Sequence, residues 1–315
     1  MVTRIESKDY YVLDENNKIV RCYLRGKFQK EFELKKDKLF TLDIVTVGDQ
    51  VEFELNQDGT GVIHSIAERR NYLSRKAPRV KGASFRGERL EQVIAANLDY
   101  LFIVSSIKKP QFSHRLIDRL LVAGESSNVE VILIINKVDL DKKDHAADWK
   151  EFYEEIGYKT YLSSVTNKEL PAKEIRKLIN GKTSVFWGHS GVGKSSILNF
   201  LYPQLNLKVN EVSEYSSKGK HTTVTVRMEK VDIETFIIDT PGIREIEPYG
   251  ITKENLSHYF IKFGEFINNC KFNTCTHHHE PGCAVMEAVN EGKISELRYD
   301  SYLKMLETIE DDVNY

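Results

Sequence analysis

Residues 183–201 read TSVFWGHSGVGKSSILNFL, and the central fold is decided there. TSVFW is a short apolar run of the kind that forms a buried strand. Gly188-His189-Ser190-Gly191-Val192-Gly193-Lys194-Ser195 follows and fits GxxxxGK[ST] without a mismatch, and SILNFLY after it has helical character. Strand, glycine-rich turn and helix together make a phosphate loop. Its glycines let backbone N–H groups turn toward phosphate oxygens, and the helix adds its positive N-terminal end. Lys194 is expected on the β- and γ-phosphates and Ser195 on Mg²⁺, with Ser196 in the same binding set. The motif predicts a nucleoside triphosphate without saying which base.

Working outward, the base is read upstream. Asn136-Lys137-Val138-Asp139 follows the strand VILII and matches NKxD. A carboxylate at Asp139 accepts from guanine N1–H and from the exocyclic amine. Adenine lacks that donor pair and would leave a buried Asp unpaired, so ATP is rejected. Asn136 is expected to tie this loop to the phosphate loop, and the stem of Lys137 to cover the purine. Ser163-Ser164, after the strand KTYL, fits a loop whose backbone reads guanine O6.

Downstream, Asp239-Thr240-Pro241-Gly242 follows ETFII and fits DxxG. Asp239 is expected to hold Mg²⁺ through water, and the Gly242 N–H to sense the γ-phosphate. Between the two motifs lies SEYSSKGKHTTVTV, where Thr222 or Thr223 is the switch threonine. Small GTPases place a glutamine after the DxxG glycine to orient the attacking water. Here that residue is Ile243, which cannot donate or accept. Slow intrinsic hydrolysis follows, with the missing group supplied elsewhere. His221 is the in-chain candidate, and its alternative is a loop histidine facing solvent.

The flanks differ from this centre. Residues 1–70 alternate apolar and polar in short runs (DYYVLDE, KIVRCYL, FTLDIVTV, DQVEFEL, TGVIHSI) with turns such as Asp58-Gly59, which suggests a small barrel or sandwich. Residues 69–89 carry eight Lys or Arg against Glu88 alone. That stretch is either a solvated linker or a phosphate-backbone contact with Tyr72 and Phe85 beside it. From Val93 strands alternate with helices, as in an α/β domain with a mostly parallel sheet. After Glu247 the chain is expected to be helical and polar, ending in one or two surface helices. Cys270, Cys275, His277 and Cys283 supply three thiolates and one imidazole, a donor set for a closed structural Zn²⁺ site, with His278 and His279 as substitutes for His277.

Bulk composition narrows the class. The 315 residues suggest two or three domains at roughly 100–200 residues each. A formal net charge of -2 excludes a polybasic molecule, though not a basic patch. No apolar run is long enough to span a bilayer, and the N-terminus lacks an apolar signal segment. A cytoplasmic protein with reduced thiols and no membrane partner is expected.

The motifs run NKVD, SSVT, GHSGVGKS, HTT, DTPG, a rotation of the usual GTPase order, and a sheet tolerates such a permutation when its old termini lie close together. With a small barrel before and a Cys/His module after, the chain resembles the RsgA (YjeQ) family of circularly permuted GTPases. VGDQVEFE, IAERRNYLSRK, QVIAANLDYLFIV and KGKHTTV support the likeness along almost the whole length. His189 and Val224 stand where glutamine and threonine are frequent. The resemblance implies an OB-fold barrel over 1–72, a basic linker over 73–92, a permuted P-loop GTPase domain over 93–247 and a helical zinc-binding domain over 248–315. It also implies GTP hydrolysis in late maturation of the small (30S) ribosomal subunit, stimulated by the subunit, with GTP, GDP, Mg²⁺ and rRNA as partners of a monomer. The cysteine spacing matches the family's zinc site. An RNA-independent regulatory NTPase is the competing reading, and a nucleic-acid module with a degenerate nucleotide site a third. The intact Lys194, Ser195 and Asp239 argue against the third. The rotation also sets DTPG next to the zinc module, so movement of the second switch is expected to pull on it.

Overall fold

The computed structural model describes residues 1–28, 30, 44–77, 90–209, 226–240 and 247–309. The N-terminal part contributes β1 (Val2–Glu6), β2 (Asp9–Leu13), β3 (Ile19–Leu24), β4 (Val51–Leu55) and β5 (Gly61–Ile66). They pair in the order β1-β2-β3-β5-β4, with β3 and β5 parallel. That is the OB-fold order, and backbone bonds from Val2 to Asp49 and from Gly48 to Val2 bring the first strand back to the approach of β4. Val2, Val12, Val20, Cys22, Val45 and Ile63 fill the barrel. FTLDIVTV lies partly outside the described residues, and VTRIE proves to be a strand that the alternation pattern did not single out.

A two-stranded ribbon, β6 (Tyr72–Lys76) with β7 (Glu91–Ala96), leads from the barrel to the central sheet. Within the basic stretch, Tyr72–Lys76 is therefore paired backbone. Arg69 makes two 2.8 Å bonds to the fully buried Asp49. Arg70 reaches Asp99 at 3.1 Å and the Leu98 carbonyl at 2.8 Å. Read from sequence as linker or phosphate contact, Arg69 is instead held within the barrel, and Arg70 ties the barrel's end to the start of the central sheet. Residues 78–89 lie outside the described part.

The central sheet has β8 (Tyr100–Ser106), β9 (Glu130–Asn136), β10 (Lys159–Ser163), β11 (Thr183–Trp187), β12 (Arg227–Asp232) and β13 (Thr235–Asp239). Its order is β10-β9-β8-β11-β13-β12, all parallel except β12. Both faces are buried, which explains the near-continuous apolar runs. Leu101, Ile103, Leu133, Ile135, Val185 and Trp187 point to one face, Phe102, Val104, Ile132, Ile134 and Phe186 to the other. Phe102 and Phe186 stack at 4.6 Å across neighbouring strands.

Helix α1 (His114–Ser126), capped by Ser113, and α2 (His145–Ile156) cover the first face, while α3 (Ala172–Ile179) and α4 (Lys194–Leu201) cover the second. The chain runs from β8 to β10 on one side and returns to place β11 and β13 on the other. The switch point therefore lies between β8 and β11, where open parallel sheets bind ligands beyond their carboxyl ends.

The C-terminal module has short 3-10 turns over Leu256–Tyr259, Ile261–Glu265 and Ile267–Asn269, then α5 (Ala284–Asn290) and α6 (Glu296–Thr308). The expected polar, surface character does not hold here. Phe260, Phe263, Tyr302, Met305 and Leu306 join Val122 of α1 in one core. Arg298 of α6 is buried because it pairs with the fully buried Asp118 of α1, and its guanidinium lies 4.5 Å from the Phe260 ring centroid. No helix among the described residues is long and apolar enough to cross a membrane.

Candidate nucleotide site and metal centre

The parallel register fixes the first site. Asn136 ends β9 beside Ser163 of β10 and Ser106 of β8, and Asp239 of β13 lies opposite Phe186 of β11. The described motif residues thus emerge at one edge of the sheet.

The phosphate loop leaves β11 at Gly188, where a Cβ would approach the Val104 oxygen to 2.1 Å. His189 and Ser190 are exposed, and Val192 is buried. Gly191 and Gly193 take φ of +82° and +100°. Only glycine suits Gly193, because a Cβ would also fall 2.3 Å from Asn136 Nδ2. That clearance serves a bond: the buried Asn136 amide donates to the Val192 oxygen at 2.9 Å. Ser163 donates its hydroxyl to Asn136 Oδ1 at 3.1 Å and holds the amide's orientation. The NKVD loop and the phosphate loop are therefore physically joined through Asn136, the residue expected to tie them.

Lys137 adopts a left-handed backbone at φ 61°. Its ammonium donates to the Gly191 oxygen at 2.6 Å and also to the Lys109 oxygen. Burial lowers its pKa, with Asp139 opposing. Asp139 is exposed rather than buried, and Ser164 donates to one of its oxygens at 2.6 Å. Ser164 is thus a side-chain partner of the carboxylate, a role beyond the backbone contact read from sequence.

Lys194, Ser195 and Ser196 form the first turn of α4. Lys194 donates to the Gly188 oxygen at 2.7 Å, and burial lowers its pKa while Asp239 opposes the shift. Burial raises Asp239, with Lys194 pulling the other way. Asp239 Oδ1 is buried with no hydrogen-bond partner. An orphaned carboxylate oxygen facing a phosphate loop suits a hydrated Mg²⁺. His221, Thr222, Thr223 and Gly242, with Ile243, lie outside the described residues.

The second site is the Cys/His cluster. The ligand atoms of Cys270, Cys275, His277 and Cys283 all lie within 4.8 Å of one another. His277 Nδ1 is 3.5 Å from Cys270 Sγ and 3.4 Å from Cys283 Sγ, and those two sulfurs are 4.0 Å apart. Tetrahedral zinc with ordinary bond lengths needs about 3.5 Å between N and S and about 3.8 Å between sulfurs. The four residues fit that ion. Burial pushes the Cys275 thiol up to about 12 and also raises Cys283, so a bound cation is what would make thiolates here. His278 and His279 are exposed and stand outside the cluster. The surrounding loop is well held: Tyr299 donates to the His277 oxygen at 2.8 Å and Tyr302 to the Thr276 oxygen at 2.7 Å.

Two family models match the chain, "RsgA N-terminal domain" over residues 2–63 and "RsgA GTPase" over residues 66–248. A small ribosomal subunit biogenesis GTPase RsgA of Bacteroides fragilis is 38% identical over 306 residues, 96% of this chain and 94% of that protein. The protein of the same name from Chlorobaculum parvum is 37% identical, with 99% and 98% covered. Among solved structures, YjeQ from Thermotoga maritima aligns with a TM-score of 0.74 and 32% identity over 98% of this chain and 96% of its own. YloQ, described as a circularly permuted GTPase, aligns at 0.67 and 30%, covering 100% and 95%. An OB-fold barrel, a rotated phosphate-loop sheet and a Cys/His module occur together in one chain, and that chain belongs to the RsgA GTPase family.

Proposed function

We propose that the protein hydrolyses GTP to GDP and phosphate during late maturation of the small ribosomal subunit, binding rRNA in the cytoplasm as a monomer. The observation that carries this reading is the bond between Asn136 and Val192, which makes one unit of a guanine loop and a phosphate loop. Joined to the family's printed function, it favours GTP hydrolysis over an RNA-independent regulatory role.

In this reading Asp139, steadied by Ser164, accepts from the guanine edge, while Ser163 positions Asn136. On nucleotide binding, Lys194 exchanges the Gly188 carbonyl for phosphate oxygens. Backbone N–H groups from Gly188 to Ser196 cradle the phosphates. Ser195, Asp239 and a switch threonine, Thr222 or Thr223, would hold Mg²⁺, which would supply positive charge to offset that of the phosphates. Gly242 senses the γ-phosphate and His221 acts on the attacking water. Cys270, Cys275, His277 and Cys283 would hold a structural Zn²⁺, which would cross-link the loops of the C-terminal module. The proposed units run 1–72, 73–92, 93–247 and 248–315.

A run of contacts also connects the guanine loop to the C-terminal module. Lys137 bonds to Lys109, in the loop that leads from β8 into α1, and α1 carries Asp118 against Arg298. Cosedimentation with purified subunits tests the reading. The chain bound to a non-hydrolysable GTP analogue is expected to pellet with small subunits, and less so with GDP. Equal pelleting in both states, or with large subunits, contradicts it.

A further inference from the structure

The zinc loops expose more than a metal site requires. Phe272 lies between two cluster cysteines, yet the residue is 43% exposed. Lys271 places its ammonium 5.6 Å from the ring centroid. The pair is held from several sides. Cys270 and Cys275 belong to the cluster, the Cys275 N–H donates to the Phe272 oxygen at 3.2 Å, and the Lys271 N–H donates to the Gly282 oxygen at 3.0 Å. Gly282 has φ +73°, and a Cβ there would lie 3.2 Å from Lys271 Cβ, so the two zinc loops touch closely. The second loop adds exposed His278 and His279.

Charge narrows the partner. Glu280 is the sole carboxylate between Cys270 and Cys283. It accepts from the Thr276 N–H and hydroxyl and from the N–H groups of His278 and His279, at 2.6 to 3.1 Å. The segment thus presents a ring, an ammonium and two imidazoles, with its only carboxylate turned to the loop's own donors. A protein partner calls for a larger apolar patch. A lone fixed ring beside a cation suits an unpaired nucleotide, whose base stacks and whose phosphate pairs.

We propose that Phe272 and Lys271 form a stacking platform for single-stranded RNA, Phe272 taking an unpaired base and Lys271 the adjoining phosphate. This rests on the reading that the chain binds the small subunit, and it names the zinc loop as a point of contact.

The test uses the full chain with zinc bound. Fluorescence anisotropy with a labelled single-stranded oligoribonucleotide compares wild type, Phe272→Ala, Phe272→Leu and Phe272→Trp. The Ala and Leu variants are expected to bind about ten-fold more weakly and the Trp variant as well as wild type. Lys271→Gln is expected to lower the log–log salt slope by about 0.7. Zinc content and basal GTP turnover stay unchanged in all four variants. Undiminished binding by Phe272→Ala, or by Phe272→Leu, overturns the platform. If small subunits still stimulate wild-type turnover in that case, the platform alone has failed. If wild type is not stimulated at all, the functional reading and the platform fall together.

Discussion

Asn136 and Val192 are 56 residues apart in sequence, yet the amide of one donates to the backbone oxygen of the other across 2.9 Å. The bond needs Gly193 to have no side chain. Gly193→Ala adds a Cβ at left-handed φ and 2.3 Å from the Asn136 amide. It is expected to weaken binding of a fluorescent GDP analogue by at least about ten-fold, since losing a buried hydrogen bond costs about 1–3 kcal/mol. Affinity equal to wild type would mean the two loops do not need each other.

Asp239 trades stability for binding. Burial raises its pKa in the nucleotide-free fold above the value of an unfolded chain. The folded state then holds the proton more tightly, and the stabilising contribution is present below the unfolded pKa and lost as pH rises through the folded one. Asp239→Asn is therefore expected to match wild type in acid and to melt at a higher temperature at neutral pH, while Mg²⁺ no longer strengthens nucleotide binding. Thermal melts across pH check the first part and nucleotide titrations with and without Mg²⁺ the second.

The buried pair between Arg298 and Asp118 fastens α6 to α1. Removing one partner strands a buried charge, so Arg298→Ala is expected to cost about 3–5 kcal/mol in denaturant unfolding. The double change Arg298→Met with Asp118→Leu is expected to recover most of that loss. If the double variant is as weak as the single, stranded charge is not the cause.

Strong chelation of the zinc site is expected to expose the backbone of α5 and α6 to hydrogen exchange while β9 and β11 stay protected. The reason is that the four ligands anchor the module's loops while the sheet has its own two-sided core. Loss of protection across the whole chain would show that the module does not fold as a separate unit.

Much of this site is legible in the sequence because its chemistry is local. GHSGVGKS and NKVD each encode a loop within a few residues, and the apolar runs before them mark the strands. Long-range pairing is what sequence conceals. Arg298 reads as a surface residue until Asp118, 180 positions away, is seen to neutralise it. Arg69 and Arg70 look like free cations in a basic run, and Asp49 and Asp99 claim them. Helix α2 carried a signal that could have been used, with Ala146, Trp149, Tyr153 and Ile156 at helical spacing. Ser164 on Asp139 had none, because serines abound in loops.

GTP turnover by the purified chain, with and without purified small subunits, tests the central claim most directly. Ile243 in place of a water-orienting glutamine predicts slow turnover alone. Small subunits are expected to raise the rate by at least about ten-fold, a barrier change of about 1.4 kcal/mol, and large subunits to leave it unchanged. A rate indifferent to small subunits, or raised equally by large ones, would contradict a GTPase that acts on the small subunit.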